Sequence, residues 1–168
     1  MIPRTVYLDM DGVITDFSGG VMKYFGLTRL GHTPDEIKQW NWFADFDLDE
    51  KAVSEFLSTS REFWASLDWT PEGRVLFSVL YQMYGADLKI LTTPWRNNEA
   101  CKGGKLDWVN KNIPRMADSV VFSFDKSKLA VPWSILIDDC EETVDKFRAA
   151  GGIGILVPRT WNTGGKRV

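Results

Sequence analysis

The chain has 168 residues, 44% apolar and 26% charged, with a formal net charge of −3. That is one soluble-type domain with room for a small insertion, long enough to bury a core of its own. Its mild acidity excludes a broad basic footprint for nucleic acid or a membrane surface, so an anionic substrate needs a local cluster of cations or a metal ion.

At the N-terminus, Thr5–Asp9 (TVYLD) is an apolar run ending in acid, read as a buried strand. No charged and apolar leader precedes it, so no signal peptide is expected. Asp11-Gly12 marks a sharp turn, and Phe17–Phe25 has helical spacing with Gly26 as its stop. Thr33-Pro34-Asp35-Glu36 predicts a helix start with Thr33 as N-cap. From there to about Leu67 the sequence is acidic and aromatic, and four of the eight tryptophans, Trp40, Trp42, Trp64 and Trp69, fall in one thirty-residue stretch. This stretch reads as a small helical insertion.

Thr70-Pro71-Glu72 opens another helix, with Val75, Leu76, Val79, Leu80 and Met83 as its apolar stripe and Gly85 at its end. Leu88–Thr92 (LKILT) is the next strand, followed by a loop holding Pro94 and Gly103-Gly104, then a short helix from Lys105 to Lys111. Ser119–Phe122 and Ser134–Ile137 are further strands. Glu141–Ala150 is a helix closed by Gly151-Gly152, and Gly154–Val157 is the last strand. The tail from Arg159 is polar and Gly-rich, expected to be loose at its end. The cysteines, Cys101 and Cys140, fit neither a disulfide framework nor a zinc spacing and read as inert thiols of a reducing cytoplasm. No apolar run approaches the ~18 residues that a membrane span needs.

Apolar strands alternating with helices predict an α/β fold, a parallel sheet of about five strands covered on both faces. In such sheets ligands bind beyond the carboxyl ends of the strands. The chemical candidates cluster there. Asp9-Met10-Asp11-Gly12 sets two carboxylates one residue apart, which repel unless a cation or a proton joins them. Alone, this could be an exposed acidic turn. Ile137-Asp138-Asp139 adds a second acidic pair after another strand, and several carboxylates at one sheet edge need a hard dication such as Mg²⁺. Thr92 and Thr93 offer hydroxyls and N–H groups to phosphate oxygens, and Lys126 could neutralise phosphate charge. His32, the only histidine, precedes a helix start and reads as structural or solvated.

Acid pair, hydroxyl, lysine and acid pair, each after a strand, resemble the haloacid dehalogenase-like phosphatase superfamily in the motifs DMDGV, LTTP, a lysine and LIDD. More narrowly, LDMDGVITDF, ILTTPW, Lys105-Leu106-Asp107-Trp108 and DKSKLA before LIDD resemble the 5′-nucleotidase family that includes 5′(3′)-deoxyribonucleotidases. The resemblance covers nearly the whole chain. It implies a Rossmann-like core of residues 1–17 and 70–168 with a small helical cap of residues 18–69 inserted after the first strand. It implies Mg²⁺-dependent hydrolysis of nucleoside monophosphates. In that scheme Asp9 is the nucleophile and Asp11 the acid and base, with Thr92 and Lys126 stabilising phosphate charge. Mg²⁺ is held by Asp9, the Asp11 carbonyl and an acid of the Asp138–Asp139 pair. Lys128 competes with Lys126 for the phosphate role, and K-x-x-L-A-x-P favours Lys126. Lys105 resembles a further family lysine near the phosphate.

Phe17 matches a position that family members set against the base. Trp40, Trp42, Phe63 and Trp64 are cap aromatics that would stack on a base or pack the cap onto the core. The implied location is cytoplasmic and the partner a small nucleoside monophosphate, with no membrane and no duplex nucleic acid; a homodimer stays open. Two other readings compete: a superfamily phosphatase acting on a polynucleotide 3′ end or a sugar phosphate, and a non-enzymatic phosphoacceptor module.

Overall fold

The computed structural model describes residues 5–164. Five parallel strands form one sheet in the order β3-β2-β1-β4-β5: β1 Val6–Leu8, β2 Leu88–Thr92, β3 Val120–Phe122, β4 Ile135–Asp138 and β5 Ile153–Leu156. In register, Leu8 of the central strand lies beside Ile90 on one side and Ile137 on the other. The carboxyl ends of β1, β2 and β4 are therefore level, and they carry Asp9, Thr92 and Asp138.

Side chains alternate across the sheet because successive Cβ atoms of a strand point to opposite faces. Val6, Leu8, Ile90 and Ile137 enter the larger apolar cluster, with Trp108 and Val109 of α5 (Glu99–Asn112). Tyr7, Leu91 and Leu136 face the other way, onto Phe147 of α6 (Glu141–Ala149). Helices thus cover both faces, as the strand composition predicts.

Between β1 and α4 (Gly73–Tyr84) the chain forms α1 (Phe17–Tyr24), α2 (Glu50–Thr59), α3 (Arg61–Ala65) and short 3₁₀ turns. The Asp16 N–H donates to the Asp68 carbonyl at 2.8 Å, and the Thr70 N–H to Ile14 at 3.0 Å. The segment therefore leaves and returns at one point. It is pinned onto α5: Arg61 donates twice to Asp107, at 2.6 and 2.8 Å, and the Trp108 indole donates to the Leu67 carbonyl at 2.7 Å.

Three expectations are corrected. The helix predicted from Thr33 is a single 3₁₀ turn, Pro34–Glu36, although the capping contact from the Thr33 N–H to Glu36 forms at 2.8 Å. On α4, Val75 and Met83 are 67% and 66% exposed, while Leu80 is buried and Leu76, Phe77, Tyr81 and Tyr84 pack against the core. The larger aromatic faces take the buried side from the valines. Third, α5 begins six residues before Lys105 and runs through the glycine pair. Glycine is costly inside a helix, but a Cβ on Gly104 would meet the Arg61 carbonyl oxygen at 2.3 Å and Trp64 Cβ at 2.6 Å. The pair is there for contact with α3. Among the described residues no helix is long and apolar enough to cross a membrane.

Candidate active site

The DMDG turn is built by one carbonyl. Met10 O accepts from the N–H groups of Val13, Ile14 and Thr15 at 3.1, 2.8 and 2.8 Å, which folds the chain tightly after β1. Gly12 has φ +74°, and a Cβ there would lie 2.3 Å from Asp139 Oδ2. Any side chain would push apart the first and second acidic pairs. Asp11 is aimed by Thr15, whose hydroxyl donates to Oδ1 at 2.9 Å.

Lys126 opens a 3₁₀ turn after β3 and is buried. Its Nζ donates to Asp9 Oδ1 at 2.6 Å and to Asp138 Oδ2 at 2.7 Å. Burial disfavours its charge, but attraction by Asp9 and Asp138 outweighs that and holds its pKa above the ordinary lysine value. Lys128 is 79% exposed and pairs with Asp125, at 3.9 Å. Of the two candidate lysines, the fold brings Lys126 to the acids.

Lys105, 1% exposed, donates to Asp11 Oδ2 at 2.5 Å, to the Thr92 hydroxyl at 2.7 Å and to the Thr93 carbonyl at 3.2 Å. Its Nζ also lies 5.2 Å from the Trp64 ring centre. Thr92 is buried and its hydroxyl hydrogen stays available. Thr93 is exposed and spends its hydroxyl hydrogen on the Ser123 carbonyl at 2.9 Å, leaving its N–H for a ligand.

Asp9, Asp138 and Asp139 are all buried, and their ligand oxygens lie within 4.8 Å of one another. Burial, then repulsion by Asp138 and Asp11, raises Asp9 to about 7 against the pull of Lys126. Burial and the charges of Asp9 and Asp138 push Asp139 well above the usual carboxylate range. Asp138 has both oxygens engaged, Oδ1 by the Cys140 N–H at 2.8 Å and Oδ2 by Lys126. Among the described residues Asp139 Oδ1 is buried with no hydrogen-bond partner. Clustered carboxylates with one orphaned oxygen are the donor set that a hard dication such as Mg²⁺ takes. The Asp11 carboxylate is held by Lys105 and Thr15.

A cavity of about 620 Å³ opens from these acids to the aromatic segment. Phe17 lines it and stacks on Trp64 at 5.5 Å and 12°. Trp64 also lines the cavity; it is 1% exposed, held by its indole donation to the Leu57 carbonyl at 2.9 Å, and backs Phe17. Trp42 lines the cavity and packs edge-on against Phe43 and Phe46; Trp40, 56% exposed, stands at its mouth. His32 pairs with Glu36 at 2.9 Å and is not among the lining residues.

Sequence reasoning missed Phe43, Trp95, Phe124 and Trp161, which also line the cavity. It missed the tail too. Through Gly164 the tail is tied to the site by Arg159, Trp161 and Asn162; its expected loose end, residues 165–168, lies outside the described residues. A tryptophan in an otherwise polar tail was the available signal.

A family model described as 5′ nucleotidase, deoxy (Pyrimidine), cytosolic type C protein matches residues 3–166. The mitochondrial 5′(3′)-deoxyribonucleotidase of Mus musculus is 28% identical over 143 residues, 80% of this chain and 63% of that protein. Its Homo sapiens counterpart is 28% identical over 144 residues, 80% of this chain and 61% of that protein. This chain thus spans less than two thirds of the length of either relative. Among solved structures, the HAD-hydrolase YfnB of Bacillus subtilis, bound to magnesium, superposes with a TM-score of 0.56 at 16% identity, covering 92% of this chain and 86% of that one. That likeness is one of fold.

Proposed function

This chain belongs to the 5′ nucleotidase, deoxy (Pyrimidine), cytosolic type C family, and from that premise we propose that it is a Mg²⁺-dependent phosphatase hydrolysing (deoxy)nucleoside monophosphates. The observation that carries the reading is the Lys126 ammonium set between Asp9 and Asp138, beside an Asp139 oxygen with no protein partner. A surface acidic turn would be solvated; here three buried carboxylates, Asp9, Asp138 and Asp139, gather around the Lys126 ammonium. Asp9, Asp139 and the Asp11 carbonyl would hold Mg²⁺, with Asp138 engaged elsewhere. Bound there, Mg²⁺ neutralises the carboxylates and draws charge from a phosphate oxygen.

Asp9 attacks phosphorus: a carboxylate oxygen–phosphorus bond forms, the ester bond to the nucleoside oxygen breaks, and Asp11 gives that oxygen a proton. Asp11 then takes a proton from water as the water attacks the aspartyl-phosphate, which frees phosphate and restores Asp9. Lys126 orients Asp9 through Oδ1, and the Thr92 hydroxyl and Thr93 N–H serve the other phosphate oxygens. Lys105 holds Asp11 and adds positive charge at the same edge. The helical segment 18–69 acts as a cap, with Phe17 backed by Trp64, and Trp42 beside the cavity, as walls for the base. Both cysteines are free thiols, in keeping with a cytoplasmic protein.

The test is phosphate release from a panel of nucleoside monophosphates with and without Mg²⁺. Metal-dependent release is expected from nucleotides; release in chelator, or from none of them, overturns the reading.

A further inference from the structure

The tail after β5 returns to the acids. The Trp161 indole N–H donates to Asp139 Oδ2 at 3.1 Å. The Asn162 amide donates to the Asp139 backbone carbonyl and to that of Val157, both at 2.9 Å, and its oxygen accepts from the Arg159 N–H at 3.1 Å. Arg159 Nε donates to the Gly12 carbonyl at 2.6 Å, and its guanidinium pairs with Glu72 at the foot of α4. One short segment therefore grips both acidic motifs.

The grip selects an oxygen. Asp139 Oδ2 lies between the Trp161 indole and the space where Gly12 lacks a Cβ. Turning the carboxylate would break the indole bond or drive an oxygen against the turn. Oδ1 is thereby left as the buried oxygen without a protein donor. Without that bond, repulsion from Asp9 and Asp138 would favour rotation of the group away from them.

We propose that Arg159–Asn162 is a positioning strap, in which the Trp161 N–H fixes Asp139 with Oδ1 presented to the metal. Trp161 touches neither phosphate nor metal in this scheme; it acts through Asp139. The inference rests on the Mg²⁺ reading above.

Outer-sphere donors of this kind typically change metal affinity by about 10–100-fold. Isothermal calorimetry of Mg²⁺ into the substrate-free protein reads this without turnover. Trp161→Phe keeps a ring and loses the donor, and should weaken Mg²⁺ at least about tenfold. Trp161→His restores a ring N–H and should recover part of the loss. At saturating Mg²⁺, kcat of Trp161→Phe should approach wild type while the apparent Mg²⁺ constant stays raised, a split that general damage would not give. If Trp161→Phe does not fold, Trp161→Met, which also lacks the donor, replaces it with the same expected loss. Wild-type affinity in the donorless variant overturns the strap, as does equal weakness in Trp161→Phe and Trp161→His, which would make the role one of packing. A wild-type protein that binds no Mg²⁺ overturns the metal reading itself, a different result from either.

Discussion

Lys126 Nζ sits 2.6 Å from Asp9 Oδ1 although the two residues are 117 positions apart. The contact exists because β1 and β4 are neighbours and the turn after β3 brings a lysine across their carboxyl ends. Removing one partner of a buried ion pair strands the other, at a cost of ~3–5 kcal/mol. Lys126→Ala should therefore remove most turnover and also lower the melting temperature in EDTA. Lys128→Ala, at an exposed side chain, should do neither. Steady-state rates and melting curves of the two variants decide; the opposite ranking would move the phosphate role to Lys128.

Asp9→Asn keeps the shape of the nucleophile and removes its anionic oxygen. Turnover should fall by several orders of magnitude while the fold survives, since Lys126 keeps Asp138. More than a tenth of the wild-type rate in the purified, folded variant would sink covalent catalysis at Asp9.

EDTA should abolish activity and Mg²⁺ should restore it. Within the acidic pair, Asp139→Asn should raise the Mg²⁺ requirement more than Asp138→Asn, because only Asp139 keeps an oxygen without a protein donor. Mg²⁺ titrations of both variants check this. A larger effect at Asp138 would reverse the ligand assignment.

The thiols offer a pH test that does not depend on turnover. Burial pushes Cys101 up to about 11 and raises Cys140 as well. The thiolate is the reactive form, so iodoacetamide at pH 8 should label neither residue in the native protein and both in denaturant. Because the folded state holds the Cys101 proton more tightly than the unfolded chain does, the associated stability is present below pH 9 and is lost between pH 9 and about 11. Mass spectrometry of the alkylated protein and melting curves across that range are the measurements. Rapid native labelling of Cys101 would contradict its burial.

How much of this was legible in the sequence depends on the range of the interaction. Asp9, Thr92 and Asp138 could be read because each ends an apolar run, and a parallel sheet brings such ends together whatever lies between. Gly103-Gly104 misled because glycine marks loops locally, whereas here it answers to Arg61 and to the Cβ of Trp64 from another helix. The buried side of α4 was misjudged because aliphatic spacing gives no weight to Phe77, which packs against Trp69, or to Tyr81, which stacks on Phe77. Trp161 was invisible for a related reason: its partner is a single carboxylate oxygen 22 residues away, and no periodicity announces such a contact.

The last prediction concerns the base. Phosphate chemistry needs only the acids, lysines and threonines, whereas a flat base needs apolar walls. Phe17 and Trp42 both line the cavity above the acids. Base stacking on an aromatic side chain is worth ~1–3 kcal/mol, so Phe17→Ala or Trp42→Ala should lower kcat/KM for thymidine monophosphate by that amount. Glucose 6-phosphate, which has no base, should be cleaved poorly by the wild type and hardly affected by either change. Trp64→Ala is the informative contrast. Its ring is covered by Phe17 on one side and lies close to Lys105, with its N–H spent on Leu57. Loss there should damage both substrates together by disturbing the wall and the Lys105 site. Equal rates on thymidine monophosphate and glucose 6-phosphate, or equal losses on both from Phe17→Ala and Trp42→Ala, would remove the nucleotide from the proposal and leave a phosphatase whose aromatic residues serve only to pack its cap.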